Sequence, residues 1–398
     1  MKLLPDFDAD WPESRLGSLF AVRSGDQISS SEMVDEGVPL VGGNGTRGHV
    51  PVANINKPSL IVGRVGALCG NAHSYAEPIW ASEHALVLAP RSSSDLRFFR
   101  YVLSTADLRE LAVGAAQPVI SATRLGQVSL PVPPLEVQRA IADFLDRETK
   151  KIDTLIAKKE RLLELLDEKR TALITQAVTK GLDPDVPMTD SGIEWLGEIP
   201  EHWEVATIKN VARLRSGHTP SRGNPEYWQS EDLPWVTLSD VGRLRSGRTD
   251  YVDDTKEWIS DLGLRNSAAE LLPEGTVMLS RTASVGYSAI MARPMATSQD
   301  FANWICGESL VPEYLMFVFR GMRREFNRLM MGSTHQTIYM PAIRGLKTPL
   351  PPLGEQERIA EMLQSNLAGF FRTSDETVRS LDLLREYRAA LISAAVTG

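Results

Sequence analysis

Apolar residues recur every seven positions along two long stretches of the chain. The first stretch runs from residue 135 to residue 179 without glycine or proline, and as one helix it would span about 67 Å. The repeating positions are Leu145, Ile152, Leu166 and Leu173 in the first stretch and Leu363, Phe370, Leu384 and Leu391 in the second, interrupted at Lys159 and Thr377. A stripe of this period predicts a helix that packs against a partner helix.

A proline pair opens both stretches. "PVPPLEVQRAIADFL" at 131–145 and "PLPPLGEQERIAEML" at 349–363 share eight of fifteen residues, and "LLDEKRTALITQAVT" at 165–179 shares ten of fifteen with "LLREYRAALISAAVT" at 383–397. Proline is tolerated only in the first turn of a helix, so the prolines indicate where each helix begins. The two segments are copies of one unit, offset by 218 residues.

The most obvious partner for each helix is the other copy. Within one chain, with a whole domain between them, the two helices pack most simply antiparallel. The spacing alone leaves open a parallel pair, or a helix that packs only on its own domain. Second apolar stripes pass through Ile141, Leu155 and Leu162 in one copy and through Ile359 and Leu381 in the other.

The regions before the two helices also correspond. "WPESRLGSLFAVRSG" at 11–25 matches "WEVATIKNVARLRSG" at 203–217, and "LIVGRVGALCG" at 60–70 matches "VMLSRTASVG" at 277–286. Short β-rich runs bounded by glycine, proline, asparagine or serine predict many short strands. Helical patches are predicted at 95–112 and at 311–331, and the second has apolar residues at helical spacing with arginines between them.

These patterns predict an α+β fold with an internal pseudo-two-fold repeat. Two mixed α/β domains are separated by two long helices that pack as an antiparallel coiled coil. The predicted segments are a first domain at 1–130, a first spacer helix at 131–182, a second domain at 183–348 and a second spacer helix at 349–398.

Composition narrows the class of protein. The chain has 398 residues, 42% hydrophobic and 24% charged, which is typical of a globular protein with two or three domains. No apolar run is long enough to span a bilayer, and the N-terminus lacks a signal-peptide core, so we expect no membrane association and a cytoplasmic location. The formal net charge of −8 counts against a nucleic-acid binder, but residues 190–347 hold 17 lysines and arginines.

Catalytic motifs are missing from the sequence. "GGNGTRG" at 42–48 contains a formal GxGxxG, but two prolines and no helical period follow it, so we reject a dinucleotide site. There is no P-loop, no nucleophile elbow and no Asn-Pro-Pro-aromatic methyltransferase motif, and the six histidines and two cysteines lack metal-ligand spacing. We therefore expect a chain that performs no catalysis itself.

The two predicted helices that begin at a proline pair, and the sequence motifs around them, resemble the specificity (S) subunit of type I restriction–modification systems. The matching words are "RSGHTPSRGNPEYW" with "LPWVTLSDV" within 215–241, and "GSTHQTIYMPAIRGLKTPLPPLGEQERIA" at 332–360. "ISATRLGQVSLPVPPLEVQRAIADFL" in the first half and the helix endings "RTALITQAVTKG" and "RAALISAAVTG" add to them. The resemblance covers essentially the whole chain, although the first half reads "RSGDQISS" where the second reads "RSGHTPS".

The resemblance implies a division of labour. Each α/β domain would be a target recognition domain that reads one half of a split site in double-stranded DNA. The paired helices would set the distance between the halves and dock two methyltransferase (modification) subunits, and a complete system adds ATP-driven restriction subunits. S-adenosylmethionine, ATP and Mg²⁺ would then belong to the partner subunits, with no cofactor and no metal in this chain.

Loop position and residue type select the expected DNA contacts, because Arg, Asn, Gln, Ser, Thr and His read base edges and bind phosphates. In the first half these residues are Asn44, Arg47, Arg64, His84 and Gln117. In the second half they are Arg215, Ser216, His218, Thr219, Arg222, Arg281, Thr282, Gln299, His335 and Gln336. The eight stripe residues of the two helices are the expected coiled-coil and partner-docking positions.

Two other functions compete with DNA recognition. A coiled-coil scaffold that joins two partners without reading DNA would show the same helices and the same repeat. A stand-alone nuclease would need an acidic metal site. "DEK" at 167–169 resembles part of one, but it lies on the repeated helix and its counterpart in the second copy reads "REY".

Overall fold

The computed structural model describes residues 11–114, 118–229, 232–330 and 336–398. The chain divides into two compact units, and each unit takes part of both long helices. The first comprises Met1–Glu160 with Val378–Gly398, and the second comprises Arg161–Thr377. Within the described residues, no helix is both long enough and apolar enough to cross a membrane.

The first recognition region is built from short strands and three short helices. The strands are β1 (Glu13–Arg15), β2 (Phe20–Ser24), β3 (Val38–Gly42), β4 (Gly45–Val50), β5 (Ser59–Gly63), β6 (Ala72–Tyr75), β7 (Trp80–Ala81), β8 (Ala85–Pro90) and β9 (Ser129–Pro131), and the helices are α1 (Leu16–Leu19), α2 (Leu96–Thr105) and α3 (Ala122–Gly126). The strands form an antiparallel sheet in the order β2-β8-β5-β6, a three-stranded sheet β4-β3-β7 and a pair β1-β9. The first long helix, α4, then covers Leu135–Lys180.

The second recognition region repeats this plan with added strands. Its strands are β10 (Met188–Asp190), β11 (Glu198–Pro200), β12 (Glu204–Thr207), β13 (Ala212–Ser216), β14 (Leu233–Val236), β15 (Tyr251–Val252), β16 (Glu257–Ile259), β17 (Val277–Ser280), β18 (Ser288–Met291), β19 (Ala296–Thr297), β20 (Phe301–Cys306) and β21 (Lys347–Leu350). Its helices are α5 (Ile208–Val211), α6 (Val241–Leu244), α7 (Asp261–Arg265), α8 (Pro312–Gly321), α9 (Arg323–Met330) and α10 (Met340–Gly345), and the second long helix, α11, covers Leu353–Thr397. The main sheet has the order β13-β20-β17-β18-β15, which extends the first unit's order by one strand.

The helical patch predicted at 311–331 is two helices rather than one, since α8 ends at Gly321 and α9 begins at Arg323. Gly321 lies against α4, where a side chain at this position would meet Val178 at 3.0 Å. Because glycine has no side chain, the end of α8 can approach the long helix closely.

The two long helices contact each other antiparallel within each unit. In the first unit, Asp153 is 2.7 Å from Arg388, and Glu160 is 2.9 Å from Arg385, so the contacts ascend one helix as they descend the other. The second unit shows the same sense: the Lys169 ammonium lies 6.0 Å from the ring centre of Phe370, and Gly181, just past the end of α4, lies near Glu355. The predicted antiparallel coiled coil is confirmed.

The seven-residue stripe only partly describes the buried surface of the helices. Leu145, Ile152 and Leu363 are buried, whereas Leu166, Leu173, Phe370, Leu384 and Leu391 are half-buried. Ile359 and Leu381 of the second stripes are buried as well, but Leu155 and Leu162 are 43% and 39% exposed, so the second stripe of α4 is only partly buried. A straight helix drifts relative to a seven-residue repeat, which moves the contact to neighbouring positions.

Each recognition region builds its core directly on the helices. In the first unit, Phe98 and Phe99 of α2 share a buried cluster with Leu145 of α4 and Val396 of α11. In the second unit, a larger cluster joins three segments. It contains Trp304, Tyr314 and Phe317 of the recognition region, Ile174 and Val178 of α4, and Ile359 and Leu363 of α11.

A buried glutamine fixes the start of each long helix. Gln138 donates from Nε2 to the Pro133 carbonyl at 2.8 Å and accepts the Asp95 N–H at 3.0 Å. Asp95 is the N-cap residue of α2, so one side chain joins the proline turn to the neighbouring helix start.

Gln356 makes the corresponding contacts in the second unit. Its Nε2 donates to the carbonyls of Pro351 at 2.9 Å and Ser309 at 3.0 Å, and its Oε1 accepts the N–H of Val311 at 2.9 Å. Val311 is the N-cap residue of α8. Both copies of the repeated "PP…Q" motif therefore form the same contact, in which a buried glutamine links the proline turn to the N-cap of the neighbouring helix. We call this contact the joint.

We predict that Gln356→Leu lowers the free energy of unfolding by about 2 kcal/mol, because buried backbone groups lose their partner at roughly 1–3 kcal/mol each. Urea unfolding of the full chain measures this loss. Gln176→Leu on the exposed face of α4 is the matched control and should change stability little. Equal effects of the two substitutions would contradict a structural role for the joint.

Candidate nucleic-acid interface

The first unit places Arg64 directly after strand β5, where the chain leaves the four-stranded sheet. The Arg64 N–H donates to the His84 carbonyl at 2.9 Å, and the Arg64 carbonyl accepts the Ile120 N–H at 2.9 Å. These two bonds bring together three segments: the end of β5, the turn before β8 and the loop before α3. Because both backbone polar groups are paired, Arg64 is held in one position.

The second unit repeats this arrangement around Arg281, which directly follows β17. The Arg281 N–H donates to the Asp300 carbonyl at 2.8 Å, and the Arg281 carbonyl accepts the Ile338 N–H at 2.8 Å. The end of β17, the turn before β20 and the loop before α10 meet here. The match between "LIVGR" and "VMLSR" in the sequence therefore reflects the same arrangement of three segments around one arginine. We call the two arrangements the Arg64 frame and the Arg281 frame.

Two residues further along, the chain adopts a left-handed backbone conformation in both units. Gly66 has φ +90° and donates from its N–H to the Pro118 carbonyl at 3.1 Å. Ala283 has φ +57° and donates to the Gln336 carbonyl at 2.7 Å. Alanine rarely adopts this conformation, so the second unit is strained where the first uses glycine.

Both strand-end arginines keep hydrogen-bonding capacity for a ligand. Arg64 donates from Nη1 to the Glu83 carbonyl at 3.2 Å, and Arg281 donates from Nη1 to the Ile338 carbonyl at 3.4 Å. Each Nε is buried without a partner, and within the described residues no carboxylate lies within 4.0 Å of either guanidinium. The two positive charges are therefore uncompensated at equivalent places.

The β3–β4 hairpin lies beside Arg64 and carries Asn44 at its tip. Asn44 and Arg47 are exposed, and Asn44 Oδ1 accepts a hydrogen bond from Asn71 Nδ2 at 2.7 Å. The imidazole of His73 lies against Gly45 of the hairpin. Burial, with a smaller effect from the charge of Arg100, lowers the pKa of His73, so its ring is neutral at pH 7.

His84 lies close to Arg64, since its carbonyl accepts the Arg64 N–H. Its side chain is 44% exposed, and its Nδ1 is 3.1 Å from a carboxylate oxygen of Glu83. Gly43 of the hairpin packs against the carbonyls of His84 and Val65, where a side chain would meet both oxygens at 3.3 Å. Asn44, Arg64 and His84 are therefore gathered at one edge of the first unit.

In the second unit, the loop after β13 forms the corresponding edge. The His218 N–H donates to the Thr297 carbonyl at 2.9 Å, and Thr219 Oγ1 donates to Gln299 Oε1 at 2.6 Å. Ser216, His218 and Gln299 are exposed. Gln299 immediately precedes Asp300, whose carbonyl accepts the Arg281 N–H, so these residues lie around the Arg281 frame.

Arg222 is held by an aromatic pair that the sequence did not single out. Its guanidinium carbon lies 3.8 Å from the ring centre of Trp228 and 5.2 Å from that of Trp235, and its Nη2 pairs with Glu257. The Trp235 indole N–H donates to the His218 carbonyl at 3.2 Å. The stack therefore ties Arg222 to the His218 loop.

Arg215 does not join this group. Its Nε is 3.1 Å from a carboxylate oxygen of Glu270, and it lines a separate cavity with Arg213 and Cys306. The expected role of Arg215 in DNA contact is therefore not supported by its position, since its charge is already paired.

The remaining predicted contacts fall on the loop before α10 and its counterpart. Thr282 forms an isolated antiparallel bridge with Thr337, and Gln336 is exposed beside it. Val65 and Val119 form the equivalent bridge in the first unit. Gln117 and His335, predicted on these two loops, lie outside the described residues.

The described residues were compared with the requirements of a metal site and of a cysteine nucleophile. None of them forms a group of three His, Cys, Asp or Glu side chains that could hold a metal ion. Burial, with a smaller effect from Glu313, raises the pKa of Cys306 to about 12, so this thiol stays protonated and is a poor nucleophile. Both cysteines are unpaired.

Comparison with known proteins matches the chain to one family. The family model described as "Type I restriction modification DNA specificity domain" matches twice, at residues 8–165 and 200–371. The chain is 31% identical over 170 residues to the type I restriction enzyme MjaIX specificity subunit of Methanocaldococcus jannaschii, which is 42% of this chain and 38% of that protein. It is 33% identical over 145 residues to the type I restriction enzyme EcoprrI specificity subunit of Escherichia coli, 35% of each chain. The matched stretches thus span well under two thirds of either relative.

Solved structures share the fold over nearly the whole chain. A chain from a type I R-M system, solved to explain its complex assembly and conformational transition, superposes with a TM-score of 0.73 at 14% identity and covers 98% of this chain and 99% of its own. The HsdS subunit from Thermoanaerobacter tengcongensis gives a TM-score of 0.53 at 15% identity, with 98% of each chain covered. At this identity the likeness establishes the fold alone.

The left-handed position in each unit gives a direct test of backbone strain. Gly66→Ala should lower the free energy of unfolding by about 1–2 kcal/mol. Apart from its chain neighbours, no atom of the described residues lies within 4 Å of the added methyl, so the cost is conformational. Ala283→Gly should leave stability unchanged or raise it by up to about 1 kcal/mol, because relief of strain exceeds the added chain entropy. Chemical unfolding measures both changes.

Gly345→Ala is the matched control, since Gly345 also has open space around it but lacks a positive φ. If Gly66→Ala costs no more than Gly345→Ala, the frame does not need the left-handed conformation.

Proposed function

The chain belongs to the type I restriction modification DNA specificity family, and we propose that it is the subunit that reads a two-part DNA sequence for a methyltransferase and restriction complex. The observation that carries this proposal is the duplicated frame. Each unit holds one strand-end arginine, Arg64 or Arg281, between the same two loops, and no carboxylate of the described residues pairs with it. Two equivalent readers in one chain suit two half-sites.

Arginine at these positions suits base recognition. A guanidinium can donate two hydrogen bonds to the O6 and N7 of guanine in the major groove, which is the commonest specific contact in protein–DNA complexes. Asn44 near Arg64, and Gln299 and Gln336 near Arg281, add amides that suit adenine. Because the surrounding side chains differ between the units, we infer that the two half-sites differ in sequence.

We infer that the paired helices act as the spacer. In each unit the buried glutamine and the shared core join the recognition region rigidly to α4 and α11. A recognition region fixed to a helix cannot tilt freely, so the register between two half-sites would be set by the helices, as dimer geometry sets half-site spacing in other DNA readers.

We propose that the repeated helix segments dock two methyltransferase subunits. Leu165 on α4 and Leu383 on α11 occupy the same position of the repeat, and they are 44% and 65% exposed. Exposed leucines at equivalent positions support the binding of two copies of one partner through identical contacts. Tyr387, which is 58% exposed, lies one helical turn from Leu383.

We further propose that this chain supplies no catalytic group and works in the cytoplasm. S-adenosylmethionine, ATP and Mg²⁺ would be bound by the partner subunits, with methyl transfer in the modification subunits and ATP-driven cleavage in the restriction subunits. The lack of nucleotide-binding and nucleophile motifs in the sequence supports this division.

Arg281→Ala in the complete methyltransferase complex should relax recognition at one half-site only. Removal of a bidentate contact to a base costs about 1–3 kcal/mol of discrimination. Methylome sequencing of cells that carry the variant shows which half of the motif becomes degenerate. Arg64→Ala should relax the other half.

Arg213→Ala is the control, because Arg213 is an exposed arginine of the same unit that lies away from the Arg281 frame. An Arg281 variant that alters both half-sites equally would contradict the assignment of one reader to each unit. A complex without any sequence-specific methylation dependent on this chain would contradict the function itself.

A further inference from the structure

The second unit contains a cavity of about 420 Å³ between the Arg281 frame and the long helices. Its walls come from residues 283–288 after β17, from α8 and α9, and from Arg170 and Ile174 of α4 with Leu367 of α11. Its size lies within the range of small-molecule sites in proteins.

The charged side chains that line this cavity are positive. Four arginines line it, namely Arg170, Arg245, Arg320 and Arg323, and none of the described residues that line it is acidic. Arg170 and Arg320 are each paired with a carboxylate, so the charge that remains for an anion comes from Arg245 and Arg323.

Two of the arginines are anchored by the protein. Arg320 pairs with Asp250 at 2.7 Å and donates to the Thr249 carbonyl at 3.0 Å. Arg170 pairs with Asp167 at 2.6 Å and donates to the Ser246 carbonyl at 2.6 Å. Burial lowers the pKa of Arg320, and the charge of Arg170 acts in the same direction. These two guanidiniums form a fixed wall of hydrogen-bond donors whose charge is paired with Asp250 and Asp167.

The other two arginines are free to bind a ligand. Arg245 donates to Ser284 Oγ at 3.2 Å, and Arg323 is exposed. Within the described residues, neither guanidinium has a carboxylate within 4.0 Å. Asn327 and Gln336, exposed on the rim, add amide groups that can hydrogen-bond an anion.

Apolar and aromatic side chains form the remaining wall, with Phe326, Met330, Leu367 and Ile174 among them. A cavity with guanidiniums on one side and an aromatic, apolar surface on the other suits a ligand that joins a phosphate to a flat ring.

We propose that this cavity binds the phosphate group of a nucleotide, drawn either from the bound DNA strand or from a free nucleotide. The DNA source rests on the proposed function, because Ala283 and Gln336 belong both to the cavity and to the Arg281 frame. The free-nucleotide source is independent of it.

The test uses the full chain together with its methyltransferase subunits. The double variant Arg245→Gln with Arg323→Gln is compared with the double control Arg265→Gln with Arg213→Gln, which removes the same charge from exposed arginines of the same unit outside the cavity. Calorimetric titration with inorganic pyrophosphate probes a free phosphate, and DNA affinity at several salt concentrations probes a strand phosphate.

A free-nucleotide site predicts that pyrophosphate binds the wild type and that the cavity variant binds it at least tenfold more weakly. A strand-phosphate site predicts instead weaker DNA binding, with a log–log salt slope that is shallower by about 0.9 for each DNA phosphate that the variant no longer neutralises. Either result, with the control pair unchanged, supports the proposal.

The proposal is overturned if the cavity variant matches the wild type in both titrations, or if the control pair weakens them equally. The methylation motif of the wild type is read in parallel. Its absence would count against the proposed function, while pyrophosphate binding would still decide the cavity.

Discussion

The buried glutamine at the start of each long helix is the contact on which the arrangement of each unit depends. Gln138 and Gln356 are both buried, and they join a proline turn to the N-cap of the neighbouring helix through two and three hydrogen bonds, respectively. A buried side-chain amide that lost its hydrogen-bond partners would lower the free energy of unfolding. The glutamine therefore favours this one arrangement of the proline turn and the neighbouring helix. The proline pair restricts the backbone conformation where each long helix begins. The glutamine holds that turn against the N-cap of the neighbouring helix.

On this joint, each unit attaches a recognition region to both helices by additional polar contacts that differ between the copies. In the first unit, Arg97 of α2 pairs with Asp143 and Asp146 of α4. In the second, Arg248 makes two bonds of 2.7 Å to Asp375 of α11 and stacks over Phe371. The joint is repeated, while the contacts around it have diverged, as expected if each copy needs the same placement but not the same surface.

The sequence predicted the parts of the structure that depend on local periodicity and on the internal repeat. The two long helices followed from the proline turns and the offset of 218, and an antiparallel pair was the simplest arrangement for two copies in one chain. The equivalence of Arg64 and Arg281 followed from the match between "LIVGR" and "VMLSR". The residues buried between the two long helices were less predictable. Burial of Thr149 and Thr377 depends on how the contact line shifts around each helix along its length. Single-helix spacing contains no information on that shift.

Residues of the candidate site that the sequence missed are brought in from distant strands. Asn71 and His73 reach the hairpin only because β6 lies at the sheet edge beside it, and only the stack identifies Trp228 as a partner of Arg222. The pairing of Arg215 with Glu270, 55 positions later, likewise has no local signal. Tertiary contacts of this kind decide which polar loop residues remain available to a ligand.

The most direct measurement of the central claim is an exchange of residues 1–128 for the corresponding region of another specificity subunit, followed by methylome sequencing. The account predicts a new two-part motif in which one half is replaced, while the other half and the gap between them are retained. A motif in which both halves change, or in which neither changes, would contradict the claim that each unit reads one half-site on a common helical spacer.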